Sequence, residues 1–150
     1  MANSDSLAQS YPDVVGYYKL ASIRATQLNT AGNAVITLPI LSGGLTNGGA
    51  TGNSGGVILR RVTVQNPSGS VATANVSIGV TNDGANLVTA NTVLSSVTGT
   101  GKYQDISIAS AYQTQVVSGA TTQCLYVNVN TASGNSSTCD IIVWGDVVSF

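Results

Sequence analysis

Apolar and polar residues alternate with a period of two through much of this chain, the pattern of half-buried strands rather than of helices. The clearest case runs from Val71 to Val80, with Ala72, Ala74, Val76, Ile78 and Val80 on one face and Thr73, Asn75, Ser77 and Gly79 on the other. Ala34, Ile36, Leu38 and Ile40 alternate in the same way with Val35, Thr37 and Pro39, and Val57–Gln65 reads as another strand. Turn signals separate these runs: Asn66-Pro67-Ser68-Gly69, with proline second and glycine fourth, then Thr81-Asn82-Asp83-Gly84 and Gly99-Thr100-Gly101. Leu87-Val88, Val93-Leu94 and the segment around Ile106 and Ile108 supply shorter strands, while Ala109–Val117 offers at most a helical turn. Short strands punctuated by Gly, Pro and Asn predict an all-β chain folded as a sandwich or barrel.

The last two strands carry a specific expectation. Leu125, Val127 and Val129 on one, and Cys139, Ile141 and Val143 on the other, place their apolar side chains at odd positions. A hairpin joining those faces sets Val129 opposite Cys139, Val127 opposite Ile141 and Leu125 opposite Val143. Cys124 then faces the other side, opposite Trp144. Cysteines on opposite faces of one sheet cannot meet disulfide geometry, so both are expected as free thiols, in keeping with an intracellular origin.

Residues 1–22 read differently. They lack strict alternation and hold Tyr11, Pro12, Gly16, Tyr17 and Tyr18, which suggests an extended arm ahead of a β-domain over 23–150. Ser42–Gly56 is a long run of Gly, Ser, Thr and Asn, and loops of that length in compact domains are usually functional or mobile.

Composition narrows the function. Only 7% of residues are charged, five Lys and Arg against six Asp, with no Glu and no His. Soluble domains average about 25% charged residues, and general acid–base catalysis draws on the types that are missing or sparse here. An enzyme is therefore not expected, nor a cofactor or metal. A net charge of −1 argues against nucleic acid as a partner, since phosphate contacts need a basic surface. The one basic pair, Arg60-Arg61, falls in a strand, where successive side chains point to opposite faces. One solvated arginine and one packed along its stem is the expectation. No apolar run approaches the ~20 residues of a membrane span, and the first twenty residues lack a basic region followed by an apolar stretch, so neither a membrane nor an export signal is expected.

The candidate motifs fail at named residues. Gly99-Thr100-Gly101-Lys102 resembles the end of a phosphate loop, but Ser96 and Tyr103 stand where glycine and Ser/Thr are required. Asn82-Asp83-Gly84-Ala85-Asn86 has one carboxylate, too few for calcium. Asp140 and Asp146 share one side of a strand but lie far apart, and no histidine is present to activate a serine or cysteine. Trp144, Tyr126 and Tyr103 are the aromatic residues from which a sugar-stacking platform would be built, although packing is the favoured role.

The stretch Gly56-Val57-Ile58-Leu59-Arg60-Arg61-Val62-Thr63-Val64-Gln65-Asn66-Pro67-Ser68-Gly69, the run Ala74–Gly79, and the closing pair Leu125–Val129 and Asp140–Asp146 together resemble small tailed-bacteriophage virion proteins. These are the head decoration, or cement, proteins. The likeness covers roughly the last two thirds of the chain and lies in pattern rather than in a diagnostic motif. It implies an antiparallel β-sandwich of jelly-roll-like form with an extended N-terminal arm. It also implies a homotrimer at local threefold positions on the capsid surface, made in the host cytoplasm and bound between major capsid protein subunits. On this reading the interface is expected to use Tyr11, Pro12, Tyr17 and Tyr18 of the arm, with Arg60 and Arg61. The other classes open to such a sequence are a receptor- or carbohydrate-binding head- or tail-fibre module and a fimbrial or surface-layer subunit.

Overall fold

Two antiparallel sheets pack face to face in the computed structural model, which describes residues 18–39, 55–113, 117–118 and 124–149. The strands are β1 (Tyr18–Gln27), β2 (Gly32–Pro39), β3 (Gly55–Gln65), β4 (Asn75–Gly79), β5 (Thr92–Val93), β6 (Gln104–Ile106), β7 (Val117–Ser118), β8 (Cys124–Thr131) and β9 (Thr138–Ser149). One sheet runs β1-β9-β3, with β6 and β7 both paired to the remaining edge of β3; the other runs β2-β8-β4-β5. The expected all-β sandwich is present.

The alternating apolar positions line the space between the sheets. Val57, Leu59, Val62, Val64, Ile141 and Val143 come from one sheet, and Leu38, Val76, Ile78, Leu125, Val127 and Val129 from the other, all buried to within about 1% exposure. At roughly 25 cal/mol per Å² of apolar surface removed from water, this layer supplies the main stabilising term. Loop residues Leu28, Val71, Leu94 and Val97 close its ends.

Several local expectations change. The segments 124–131 and 138–149 do not form a hairpin: β8 pairs with β2 and β4, while β9 pairs with β1 and β3. The odd-numbered apolar faces do meet, but across the core rather than along a hydrogen-bonded ladder. Both cysteines are free, as expected; the reason is that they sit in different sheets. The alternating run Val71–Val80 is strand only over Asn75–Gly79. Its first part turns instead, with the Ala74 amide bonded to the Val71 carbonyl at 2.9 Å. The β pattern begins earlier than Ile23, since Tyr18–Ser22 already pairs with β9 and Leu20 lies fully in the core. The predicted helical turn is a single 3-10 turn at Ser110–Tyr112, and Gly99–Lys102 is a turn closed by the Lys102 amide on the Gly99 carbonyl. The Ser42–Gly56 run lies outside the described residues except for Gly55 and Gly56, which open β3.

Bulges determine which side chains face out. β1 inserts Leu20 opposite Val143–Trp144 of β9, and β3 inserts Arg60 opposite Trp144–Gly145, one residue along. An extra residue lets two successive side chains share a face. On β1 both Leu20 and Ala21 therefore enter the core. Between the two bulges, Gly145 has no room for a side chain: a β-carbon there would overlap the Ile58 carbonyl oxygen and approach Leu20 Cδ1 to 2.7 Å.

Gly145→Ala is expected to destabilise the protein by ~3 kcal/mol or to prevent folding, because the obstruction is backbone as well as side chain. Gly99→Ala, where an added methyl meets nothing within 4 Å, should leave urea and thermal midpoints nearly unchanged.

Candidate functional site

Charge is divided unequally between the two sheets. Lys19, Arg24, Arg60, Arg61, Asp105, Asp140 and Asp146 all belong to strands of the β1-β9-β3-β6 sheet. Strands β2, β8, β4 and β5 contain no charged residue. Each sheet must bury one face, so the charged side chains of the described strands are confined to the outer face of a single sheet.

The Arg60 bulge places the two arginines together there, against the expectation that they would diverge. Leu59 and Val62 on either side are buried, and both arginines between them are exposed. Arg60 Nε donates to Asp146 Oδ2 on β9 at 2.8 Å, and Arg61 Nε donates to Asp105 Oδ1 on β6 at 2.9 Å. Thr63 Oγ1 donates to the same Asp105 oxygen at 2.8 Å. The pairs are 30–46% exposed, so their energetic worth is small, ~1 kcal/mol or less each. Their effect is to fix two guanidinium planes on one surface.

Asp140 is used differently. Its carboxylate accepts the Ala25 amide at 2.9 Å and the Asn66 side-chain amide at 2.9 Å. Ala25 and Asn66 both hold positive φ, near 50°, so one carboxylate anchors two strained points on either side of β9. Asp140 and Asp146 do share a side, as the spacing implied, yet six residue steps along the strand set them about 20 Å apart, and each is occupied by structural bonds.

Beside the arginines lies a cleft of about 510 Å³, lined by Leu59, Arg60, Arg61, Asp105, Ile106, Ser107, Ile108 and Gln113. It opens along β3 between the stretch paired with β6 and the stretch paired with β7. Arg60, Arg61, Asp105, Ser107 and Gln113 give this space a polar rim, with Leu59, Ile106 and Ile108 buried behind it. On the same outer face Trp144 stands opposite Lys19 on one side and Arg61 on the other.

Of the expected interface residues, Arg60 and Arg61 are brought together on this face, and Tyr18 begins β1 opposite Gly145. Tyr11, Pro12 and Tyr17 lie outside the described residues. The aromatic platform is dispersed: Trp144 belongs to the charged sheet, Tyr126 is buried in the other sheet, and Tyr103 stands exposed in the connection before β6. Asp105 and Asp146 were missed as partners of the arginine pair, because period-two alternation does not say which strands lie side by side.

The uncharged sheet is held by amides and hydroxyls. Asn128 Oδ1 accepts the amide of Ala34, another positive-φ residue, at 2.7 Å. Asn33 reaches across β8 to the Asp83 carbonyl at 3.0 Å. The Thr81 hydroxyl, and then the Ala85 amide, hold the Asp83 carboxyl below the usual carboxylate range. That carboxylate completes a turn.

A scan against protein-family models, a search of curated proteins and a search of solved structures each find no match to this chain.

Burial in the core, with Asp140 adding a smaller effect, pushes the Cys139 thiol up to about 12, against about 8.5 for a free cysteine. The folded protein keeps this thiol protonated where the unfolded chain has lost the proton, so the contribution is complete below the unfolded value and falls as pH rises toward the folded one. Denaturant melts above pH 9 should therefore show stability declining less steeply in Cys139→Ala than in the parent, and a thiol reagent should modify Cys139 only on unfolding.

Proposed function

We propose that this chain acts by contact, as a virion structural protein that decorates and stabilises a tailed-phage capsid by binding between major capsid protein subunits. The observation that carries the reading is the use of the charged groups. Among the described residues, Asp83, Asp105, Asp140 and Asp146 each hold a bulge, a turn or an arginine. A scaffold whose carboxylates serve its own geometry is built to present surfaces.

Strand order supports the jelly-roll form of the sandwich. β1-β9-β3-β6 faces β2-β8-β4-β5, with most successive strands passing from one sheet to the other, as two interlocked Greek keys require. Jelly rolls recur in viral capsid proteins and in lectins; this is an argument by fold analogy. The burial of Tyr126 and its placement in a different sheet from Trp144 favour the capsid over the sugar-binding alternative. Residues 1–17, joined to β1 at the border of the charged face, supply the arm, and self-association multiplies each modest contact.

The test is occupancy of the particle. A cut intended to remove the arm must stop before Tyr18, because Leu20 is core. Virions carrying the chain without residues 2–16 are expected to show decoration density by cryo-EM reduced at least several-fold relative to the full chain. Full occupancy would overturn the anchoring role, and absence of the full-length chain from the particle would overturn the capsid reading.

A further inference from the structure

We infer that the strip formed by Trp144 and Ile142 on the outer face of the charged sheet, bordered by Lys19 and Arg24, seats an extended acidic segment of a partner protein. The reason begins with the charges of that face that are already used. Arg60 is paired with Asp146 and Arg61 with Asp105. Asp140 accepts the Ala25 amide and the Asn66 side-chain amide. Lys19 and Arg24 are exposed and form no ion pair among the described residues. Each carboxylate of the described strands is thus engaged while two cations are free, so the charge this face offers a partner is positive.

Position adds to charge. β1 sets Lys19 opposite Trp144 and Ser22 opposite Ile142. Arg24 follows the core-directed Ile23 and falls opposite Asp140, between the pairs Ile23–Ile141 and Thr26–Cys139. Four residue steps of β9 therefore separate the levels of the two cations, about 13 Å. Trp144 and Ile142 lie within that span, both half-buried on the outer face, and give the cations an apolar border. In an extended segment, side chains four residues apart project to one side at the same ~13 Å. Carboxylates at those two positions, with an apolar residue midway, meet Lys19, Arg24 and the strip together. Complementary charge of this kind fixes register and speeds encounter.

Other occupants match less well. Phosphates follow about every 3.4 Å along each strand of a nucleic-acid duplex, so a backbone laid along the strip also meets Asp140 and Asp146. A second copy offers no unused acid among the described residues, since Asp83 is bonded to Thr81 and Ala85 and the strand aspartates are engaged as above. Cations on an edge strand also discourage unwanted strand pairing, but that role leaves the indole uninvolved. The inference rests on the reading that this chain acts by contact, and not on a capsid as the partner.

Trp144 is the one tryptophan of the chain, so its fluorescence reports on this face directly. Full-length protein at neutral pH and low salt, titrated with poly-L-glutamate, is expected to show a saturable change in Trp144 emission that ~0.5 M salt reverses. Lys19→Gln with Arg24→Gln should raise the titration midpoint at least about tenfold while keeping the thermal midpoint, since both side chains are exposed. Lys102→Gln, which removes a cation from the turn before β6, should bind as the parent does. Lys19→Glu with Arg24→Glu should lose the response to poly-L-glutamate and gain one to poly-L-lysine. Emission unmoved by poly-L-glutamate overturns the proposal and leaves the cations as guards of the edge. An unaltered midpoint in the glutamine double variant overturns it too, as does tighter binding of oligo-dT than of poly-L-glutamate. Particle occupancy is read in a separate assay, so either reading can fail alone.

Discussion

Strand β9 is paired on both sides by strands that bulge within one residue of each other, on either side of Trp144, and much of the molecule follows from that coincidence. β1 takes in Leu20 opposite Val143–Trp144, and β3 takes in Arg60 opposite Trp144–Gly145. One insertion adds a leucine to the core; the other turns a second arginine toward solvent. Backbones crowd where two bulges face one strand, and glycine at 145 is what lets them approach. Any other residue there would force apart strands whose register sets the inner apolar layer. The geometry of the outer face and the packing of the core thus share one origin.

From that constraint comes a molecule with two unlike surfaces. The bulged sheet carries the strand charges as neighbouring opposite pairs, each too exposed to contribute much stability but well placed to fix side-chain direction. The second sheet is neutral and uses Asn33, Asn128, Thr81 and Asp83 to hold its irregular edge and the loop folded across it. Sheet edges are templates for unwanted pairing. Here β1 is interrupted by bulges and bears Lys19 and Arg24, β2 ends at Pro39, and β5 and β6 are two and three residues long. Contact is thereby directed to faces and clefts rather than to open edges.

Alternation made the fold class legible, because period two survives wherever a strand has one buried face. It identified Ile36, Leu38, Val76, Ile78 and the odd positions of both closing strands as core. It did not reveal partners. Leu125–Val129 and Cys139–Val143 have the pattern of a hairpin and instead oppose each other across the core, since period-two patterning is the same for ladder neighbours and for facing sheets. Arg60-Arg61 shows the complementary limit. A strict alternation sends the two apart, and one inserted residue reunites them. The clue in hindsight is Leu59-Arg60-Arg61-Val62, where two polar residues stand between apolar ones at the place where alternation allows one. Asp140 and Asp146 were legible as sharing one side of a strand, but not that Asp146, with Asp105, would meet the arginines.

The central claim is that this protein works through the outer face of its charged sheet. Hydroxyl-radical footprinting of the assembled and the free protein tests it most directly, because Trp144 lies on that face while the exposed Val35 belongs to the neutral sheet. The account predicts that oxidation of Trp144 slows severalfold on assembly while that of Val35 is unchanged. Equal labelling of Trp144 in both states, with protection of Val35 instead, would contradict it.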